Sequence, residues 1–255
     1  MIVCVIGRGH SGTRALVNLL MASDFDSGSV NESGDLVPRG KPLDIYRWSS
    51  EFGQQVRFKR KWEWDFSDAF ISSPPISFHR SYDKYLDKII NYSMSNKVWK
   101  LPESLFVFPW LIKVYPQFKY IYLIRDPRDC VLKEHLTDDL SYFNVPIEVD
   151  SRFTARIEEE RGNVRVKGTS SVYQRAVSWK YQFDLIEKSP KPPNFLTVRF
   201  EDLILHFNST LKRISKFLVV PLKGIPIYKE AVGRWKSTDE NLECVYDITR
   251  DCGYY

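Results

Sequence analysis

The first sixteen residues contain the pattern that restricts the fold most strongly. A short apolar run, Ile2–Ile6, leads into the glycine-rich residues 7–12 and then into a helical pattern that begins at Thr13. A turn between a buried strand and a helix leaves backbone N–H groups unpaired at the positive end of the helix dipole, where an anion is favoured. The sequence therefore predicts an α/β chain with an anion-binding loop at residues 9–14.

This loop departs from the pattern of nucleotide hydrolases. Gly7 and Gly12 have the spacing of G-x-x-x-x-G-K-[ST], but Thr13 and Arg14 stand at the lysine and Ser/Thr positions. The lysine that binds the β- and γ-phosphates and the hydroxyl that holds Mg²⁺ are both missing. We therefore expect a phosphorylated ligand that is bound without a metal ion.

Size and composition restrict the class of protein. With 255 residues, the chain is long enough for one large α/β domain, and we predict a single domain over residues 1–255. The net charge of +5 is too small and too dispersed to indicate nucleic-acid binding. No apolar run approaches the roughly 20 residues of a membrane span, and no signal-peptide pattern precedes the first strand. A soluble, cytoplasmic protein with reduced cysteines is expected, although a disulfide between Cys244 and Cys252 stays open.

Hydrophobic periodicity predicts alternating strands and helices. The predicted strands are 2–6, 98–101, 119–124 and 195–199, and the predicted helices are 13–22, 104–115, 128–136, 172–188 and 209–217. This alternation is typical of a P-loop-type three-layer sandwich, in which helices flank a mostly parallel central sheet and ligands bind at the carboxyl ends of the strands. The irregular segments 23–81 and 137–171 are predicted to form lobes over that edge.

A second charged motif, Arg125-Asp-Pro-Arg-Asp129, follows the strand predicted at 119–124. Arg125 would project from the carboxyl end of that strand, and a guanidinium group suits bidentate binding of phosphate. Lys133, about two turns into the following predicted helix, is placed to reach the same anion. The alternative is that these charged residues cap the helix and pair with one another, and the motif alone does not decide between the two.

Six motifs together resemble the sulfotransferases that use 3′-phosphoadenosine 5′-phosphosulfate (PAPS), and they occur in the order of that family. They are Gly7-Arg-Gly-His-Ser-Gly-Thr-Arg-Ala-Leu16, Trp99-Lys-Leu-Pro102, Tyr122-Leu-Ile-Arg-Asp-Pro-Arg-Asp129, Val198-Arg-Phe-Glu-Asp-Leu203, Gly233-Arg-Trp-Lys236 and Gly253-Tyr254. The matched blocks extend over nearly the whole chain, and the lobes between them are unmatched.

The resemblance implies a binding site for PAPS that needs no metal ion. Its 5′-phosphosulfate would be bound by the loop, through Gly9, His10, Ser11, Gly12, Thr13 and Arg14. Arg125 would hold the 3′-phosphate, with Arg234 and Lys236 from a late basic segment beside it. Lys133 stands where the family usually has a serine that contacts the same phosphate.

Two positions differ from the family in ways that affect catalysis. His10 replaces the Lys or Arg that stabilises the bridging oxygen as the sulfuryl group leaves, so Lys100 is expected to share that role. Lys100 itself replaces the histidine base of cytosolic members. We therefore expect the base that activates the acceptor to be Glu32. Glu103 and His79 are further candidates, whereas Glu201 and Asp202 are expected to be structural.

The predicted function is sulfuryl transfer from PAPS to a hydroxyl or amine group of a small-molecule or glycan acceptor. A P-loop small-molecule kinase and a catalytically inactive nucleotide-binding protein are the alternatives. Dependence on Mg²⁺ would distinguish the kinase, and ligand binding without turnover would distinguish the inactive protein. The sequence leaves the identity of the acceptor and the oligomeric state open.

Overall fold

The computed structural model describes residues 1–23, 29–30, 36–37, 97–100, 102–105, 108–135, 138, 171–224 and 228–254. Most of the predicted lobes 23–81 and 137–171 lies outside these ranges. Glu32 and His79 also lie outside the described residues, and only the backbone of Glu103 is described.

Strands and helices alternate along the described chain. The strands are β1 (Ile2–Ile6), β2 (Ser29–Val30), β3 (Leu36–Val37), β4 (Lys97–Lys100), β5 (Lys119–Ile124) and β6 (Phe195–Arg199). The α-helices are α1 (Thr13–Met21), α2 (Phe108–Val114), α3 (Pro127–Cys130), α4 (Val172–Lys188), α5 (Phe200–Leu205), α6 (Phe207–Leu218) and α7 (Glu243–Thr249). Short 3₁₀ turns occupy Pro102–Leu105, Lys229–Ala231, Arg234–Ser237 and Arg250–Cys252.

Within the described residues the central sheet has four strands in the order β4-β1-β5-β6, and all of its pairings are parallel. Strands β2 and β3 form a separate antiparallel pair. The chain leaves β1 towards β4 on one side and leaves β5 towards β6 on the other. The topological switch point, where ligands bind in open α/β sheets, therefore lies at the carboxyl ends of β1 and β5.

Both faces of this sheet are covered, because the strand side chains alternate between two apolar layers. Cys4 and Ile6 of β1 point into a core shared with α2, α4 and α7, and Val3 and Val5 point into a core shared with α1, α5 and α6. These layers confirm the predicted three-layer α/β sandwich with a parallel sheet.

Two predicted helices are shorter than the sequence indicates. The prediction of one helix over 104–115 is wrong: a 3₁₀ turn ends at Leu105, and α2 starts afresh at Phe108. Pro109 explains the break, because proline lacks the N–H that a continuing helix needs but is tolerated in a first turn.

The prediction of a helix over 128–136 is also wrong, because α3 ends at Cys130 and Lys133 lies on a turn. The backbone N–H of His135 donates to the carboxylate of Asp138, at 2.7 Å, instead of to a helical carbonyl group. A contact with a residue farther along the chain therefore replaces the helical pattern here.

Two further features concern the cysteines and the membrane. All four cysteines are thiols, so the Cys244–Cys252 disulfide that the sequence left open is not formed. Among the described residues, no helix is both long enough and apolar enough to cross a bilayer.

The Tyr120 hydroxyl group links β5 to the end of α2, and removing that hydroxyl group tests how much this link contributes to stability. The fully buried phenol lies 3.0 Å from the carbonyl oxygen of Leu111 and 2.8 Å from that of Tyr115. We expect Tyr120→Phe to lower the free energy of unfolding by about 1–2 kcal/mol, because a buried hydrogen bond is lost.

Urea unfolding measures this change. The control is Tyr228→Phe, at a side chain that is 84% exposed, where a change below about 0.5 kcal/mol is expected. Equal losses in the two variants would contradict the structural role of the Tyr120 hydroxyl.

Candidate active site

The loop after β1 passes very close to β5. A Cβ atom at Gly7 would lie 2.6 Å from the carbonyl oxygen of Leu123, so a larger residue would push the loop away from the strand. The Gly7 position therefore brings the loop to the switch point, next to the residue that ends β5.

The loop ends at the uncapped N-terminus of α1. Gly12 is the N-cap with φ +87°, and a Cβ atom there would lie 2.3 Å from the Phe200 ring, so both its conformation and its surroundings require glycine. No side chain caps α1, and the first helical hydrogen bond runs from Leu16 N–H to the Gly12 carbonyl group. The N–H groups of residues 13–15 have no acceptor in the part of the chain that the structure describes. This is the arrangement that binds an anion.

The predicted loop side chains point in different directions. The Ser11 hydroxyl is buried and lies 4.0 Å from the Cys130 sulfur atom, Thr13 is buried, and Arg14 is exposed. The loop therefore offers backbone N–H groups rather than the Ser11 hydroxyl group to a ligand at α1.

Arg125 lies beneath this loop, and its side chain is only 5% exposed. Its Nη1 donates to the His10 carbonyl oxygen at 3.0 Å, and its Nη2 contacts the Asp129 carboxylate at 3.2 Å and the Ala231 carbonyl group. The guanidinium carbon lies 4.5 Å from the centre of the Phe200 ring. Its buried Nε has no hydrogen-bond partner among the described residues, so one donor of a buried cation is unused.

Asp129 connects Arg125 to a distant part of the chain. This fully buried carboxylate accepts hydrogen bonds from the N–H groups of Gly233, at 2.9 Å, and Trp235, at 3.1 Å. The turn that carries Arg234 and Lys236 is thereby held beside Arg125. Arg234 is partly buried with an unpartnered Nε among the described residues, and Lys236 is exposed.

The charged motif after β5 makes the capping and pairing contacts of the second alternative, and phosphate binding by Arg125 stays a prediction. Asp126 accepts the N–H of Arg128 as the cap of α3 and pairs with the Arg128 side chain at 2.6 Å, as the capping alternative predicts. Arg125 is paired with Asp129 yet keeps its unused donor. Glu201 contributes a structural contact, since its carboxylate accepts the Asp126 N–H at 2.8 Å, and burial raises the pKa of Glu201.

His10 adopts an unusual backbone conformation, with φ +67°. Its Nε2 lies 2.9 Å from the Glu134 carbonyl oxygen, and because a carbonyl group only accepts, Nε2 carries the proton. Desolvation lowers the pKa of His10 and outweighs the Glu134 hydrogen bond, which raises it, and the nearby Arg8 cation lowers the pKa further. In the ligand-free protein His10 is therefore a neutral imidazole at neutral pH.

The two predicted lysines lie at different depths. Lys100 ends β4, in register with Val5 of β1, and is half-buried at the carboxyl edge of the sheet. Lys133 is exposed on the turn after α3. No group of His, Cys, Asp or Glu side chains with a metal-binding arrangement occurs among the described residues.

Sequence reasoning missed three residues that organise this site. Asp129 was considered only as part of a charged motif, and Arg8 and Asp138, which form a buried ion pair, were not singled out. An arginine inside a glycine-rich loop was the one available signal. Its partner lies 130 residues away, so sequence pattern alone could not identify it.

Asp129→Asn tests whether this carboxylate holds the turn beside Arg125. Loss of the charge leaves Arg125 without its buried counter-ion, so we expect the free energy of unfolding to fall by about 3 kcal/mol. Urea unfolding measures the change, with Asp247→Asn as the control. Asp247 belongs to an exposed ion pair with Arg250, for which a loss below about 0.5 kcal/mol is expected. A similar loss in the two variants would contradict the role of Asp129.

Solved structures of known proteins share the fold of this chain. The chain is similar to the sulfotransferase domain of the curacin biosynthetic pathway, with TM-score 0.52, 16% identity, and coverage of 100% of this chain and 98% of that one. The sulfotransferase domain of the Synechococcus PCC 7002 olefin synthase gives TM-score 0.53 and 14% identity over 100% of this chain and 94% of that one. Sulfotransferase STF9 from Mycobacterium avium gives TM-score 0.52 and 12% identity over 98% of this chain and 75% of that one.

At these identities the structural likenesses establish the fold, and family membership rests on the sequence itself. No curated protein sequence is significantly similar to the chain. The family model described as "Sulfotransferase family" matches residues 3–224, which includes the loop, Arg125 and Glu201. This match covers most of the chain, which therefore belongs to the sulfotransferase family.

Proposed function

We propose that the chain transfers a sulfuryl group from PAPS to a hydroxyl or amine group of a small-molecule or glycan acceptor and releases adenosine 3′,5′-bisphosphate. The observation that carries this proposal is that two features lie at the switch point: the uncapped N-terminus of α1 and the buried cation Arg125. Two anion-binding positions side by side suit a ligand with phosphate groups at both its 3′ and 5′ positions. Membership of the sulfotransferase family supports the reaction class.

The free N–H groups at the start of α1 are proposed to bind the 5′-phosphosulfate. Arg125 is proposed to bind the 3′-phosphate, because a phosphate oxygen would satisfy its unpartnered Nε through a charge-assisted hydrogen bond. Arg234 and Lys236 would add positive charge from the turn that Asp129 holds in place. No metal ion is needed in this scheme, since protein cations and backbone N–H groups supply the neutralising charge.

In the proposed reaction the acceptor oxygen or nitrogen attacks sulfur in line, and the bond from sulfur to the bridging oxygen breaks. Negative charge develops on that bridging oxygen, and Lys100, at the carboxyl edge of β4, is the proposed cation for it. His10 is neutral in the free protein, but a doubly anionic donor would raise its pKa and favour the protonated ring. Glu32 is the proposed general base for the acceptor.

We place the protein in the cytoplasm on the basis of its reduced cysteines.

Arg125→Ala tests the 3′-phosphate position by calorimetric titration. We expect the affinity for adenosine 3′,5′-bisphosphate to fall about 10–100-fold, the loss of one or two hydrogen bonds from a charged donor. The affinity for adenosine 5′-monophosphate, which lacks the 3′-phosphate, is expected to change less than about threefold.

Arg199→Ala is the matched control, because Arg199 also ends a strand of the sheet, yet it contacts Tyr254 and the Gly253 carbonyl group. The affinity of the Arg199→Ala variant for both nucleotides is expected to equal that of the wild type. If Arg125→Ala weakens the two nucleotides equally, Arg125 does not bind the 3′-phosphate.

The second test concerns the metal ion. Binding of adenosine 3′,5′-bisphosphate is expected to be the same with Mg²⁺ and with a chelator, because Thr13 and Arg14 replace the lysine and the metal-binding hydroxyl residue of nucleotide hydrolases. The measurement is parallel titration with this nucleotide and with ATP. Tight ATP binding that requires Mg²⁺, together with indifference to the 3′-phosphate, would replace the sulfotransferase proposal with the kinase alternative.

A further inference from the structure

The first half of the loop is held by a buried ion pair that the proposed reaction does not use. The Arg8 and Asp138 side chains are 3% and 1% exposed. Nε and Nη2 of Arg8 contact the Asp138 carboxylate at 2.6–3.0 Å, and Nη1 donates to the carbonyl groups of Gly9 and Cys130 at 2.9 and 3.1 Å. Each of the three guanidinium nitrogens thus has a protein partner, so Arg8 has a structural task rather than a direct contact with an anion.

Asp138 extends this contact to the two histidines beside the loop. Its carboxylate also accepts the backbone N–H of His135, at 2.7 Å. The His135 ring covers Gly9 so closely that a Cβ atom there would lie 2.0 Å from it, and the His10 ring meets the His135 ring edge-on at 5.6 Å. With the Glu134 carbonyl group on His10 Nε2, residues 134, 135 and 138 together contact the Gly9 backbone and the His10 ring.

The conformation of His10 connects this segment to the proposed donor site. A residue with a Cβ atom rarely adopts φ +67° unless its surroundings hold it there. In this conformation the His10 carbonyl oxygen receives the hydrogen bond from Arg125 Nη1 at 3.0 Å. The next residues lead directly into the free N–H groups of α1, so His10 lies between the two proposed anion positions.

A buried ion pair contributes little net stability, because desolvation of the two charges offsets most of their attraction. Its geometry is nevertheless specific, since the planar guanidinium group and the carboxylate meet through three short contacts. Beyond its small effect on stability, this ion pair therefore fixes the position of the loop relative to the segment after α3.

We propose that Arg8 and Asp138 are positioning residues for sulfuryl transfer: their ion pair keeps His10 in the left-handed conformation in which its carbonyl group holds Arg125 and its ring has one orientation. The identity of the transferred group in this inference rests on the proposed function. The placement of His10 does not, so the two can be tested separately.

The test replaces the ion pair with apolar side chains in the double variant Arg8→Met/Asp138→Leu. Such replacements of buried ion pairs often preserve folding, whereas Asp138→Asn alone leaves a buried cation unpaired. Asp184→Asn is the control, since Asp184 forms a more exposed ion pair with Lys180, remote in sequence from the loop. Urea unfolding verifies that the variants compared are folded.

The first readout is nitrogen NMR of the histidine rings, which is tractable because the chain has 4 histidines. We expect His10 to be protonated at Nε2 in the wild type and in Asp184→Asn. In the double variant and in Asp138→Asn we expect averaging between the two neutral tautomers, because the Glu134 contact is no longer fixed.

The second readout is slow transfer of the sulfuryl group from PAPS to water, in which the water oxygen bonds to sulfur as the bridging S–O bond breaks. We expect kcat to fall about 10–100-fold in the double variant, as for a misplaced catalytic group. KM for PAPS is expected to change less than about threefold, because Arg125 keeps its contacts with Asp129 and Ala231.

A folded double variant with the wild-type His10 signal and the wild-type kcat would overturn the inference. A fall in affinity for PAPS with kcat unchanged would overturn it too, since Arg8 and Asp138 would then contribute to binding alone. If the wild type neither binds adenosine 3′,5′-bisphosphate nor hydrolyses PAPS, the proposed function fails. In that case a shifted His10 signal in the double variant would still support the role of the ion pair in placing His10.

Discussion

The buried carboxylate of Asp129 is the contact on which the geometry of the site depends. It carries a negative charge in a place from which water is excluded, and it is stable there because Arg125 and two backbone N–H groups surround it. One oxygen faces Trp235, and the other faces Arg125 and Gly233. A single carboxylate thereby joins the end of β5 to a turn more than one hundred residues later in the chain.

The loop depends on a different constraint, the close approach of backbone to neighbouring groups. Gly7 allows contact with β5, Gly9 allows contact with His135, and Gly12 allows contact with Phe200. Phe200 also lies against the Arg125 guanidinium group. The same aromatic ring therefore packs against both Gly12 of the loop and the Arg125 cation. These close contacts lead directly into the start of α1, where the backbone N–H groups have no acceptor among the described residues.

The sequence predicted the sheet well because each strand is a short apolar run with a clear boundary. The bounds of β1, β5, β6 and α4 agree with those predicted, and β4 is shifted by one residue. The failures have identifiable causes. Pro109 divides one predicted helix, and the contact between His135 and Asp138 ends another after a single turn. Helices α5 and α7 were not predicted, because segments of six and seven residues are too short to show a helical period.

The sequence by itself determined the class of the chain, since the loop and its ordered companion motifs are local patterns of residue type and spacing. It also indicated Arg125 as a cation at the end of a strand. Only the tertiary structure decided the orientation and the bonding partners of the residues around Arg125. The orientation of the His10 ring, the buried pairing of Arg8 with Asp138 and the attachment of the Arg234 turn to Asp129 all depend on contacts between residues more than one hundred positions apart. Charge state and orientation follow from desolvation and from hydrogen-bond partners, and these exist only after distant segments of the chain have packed together.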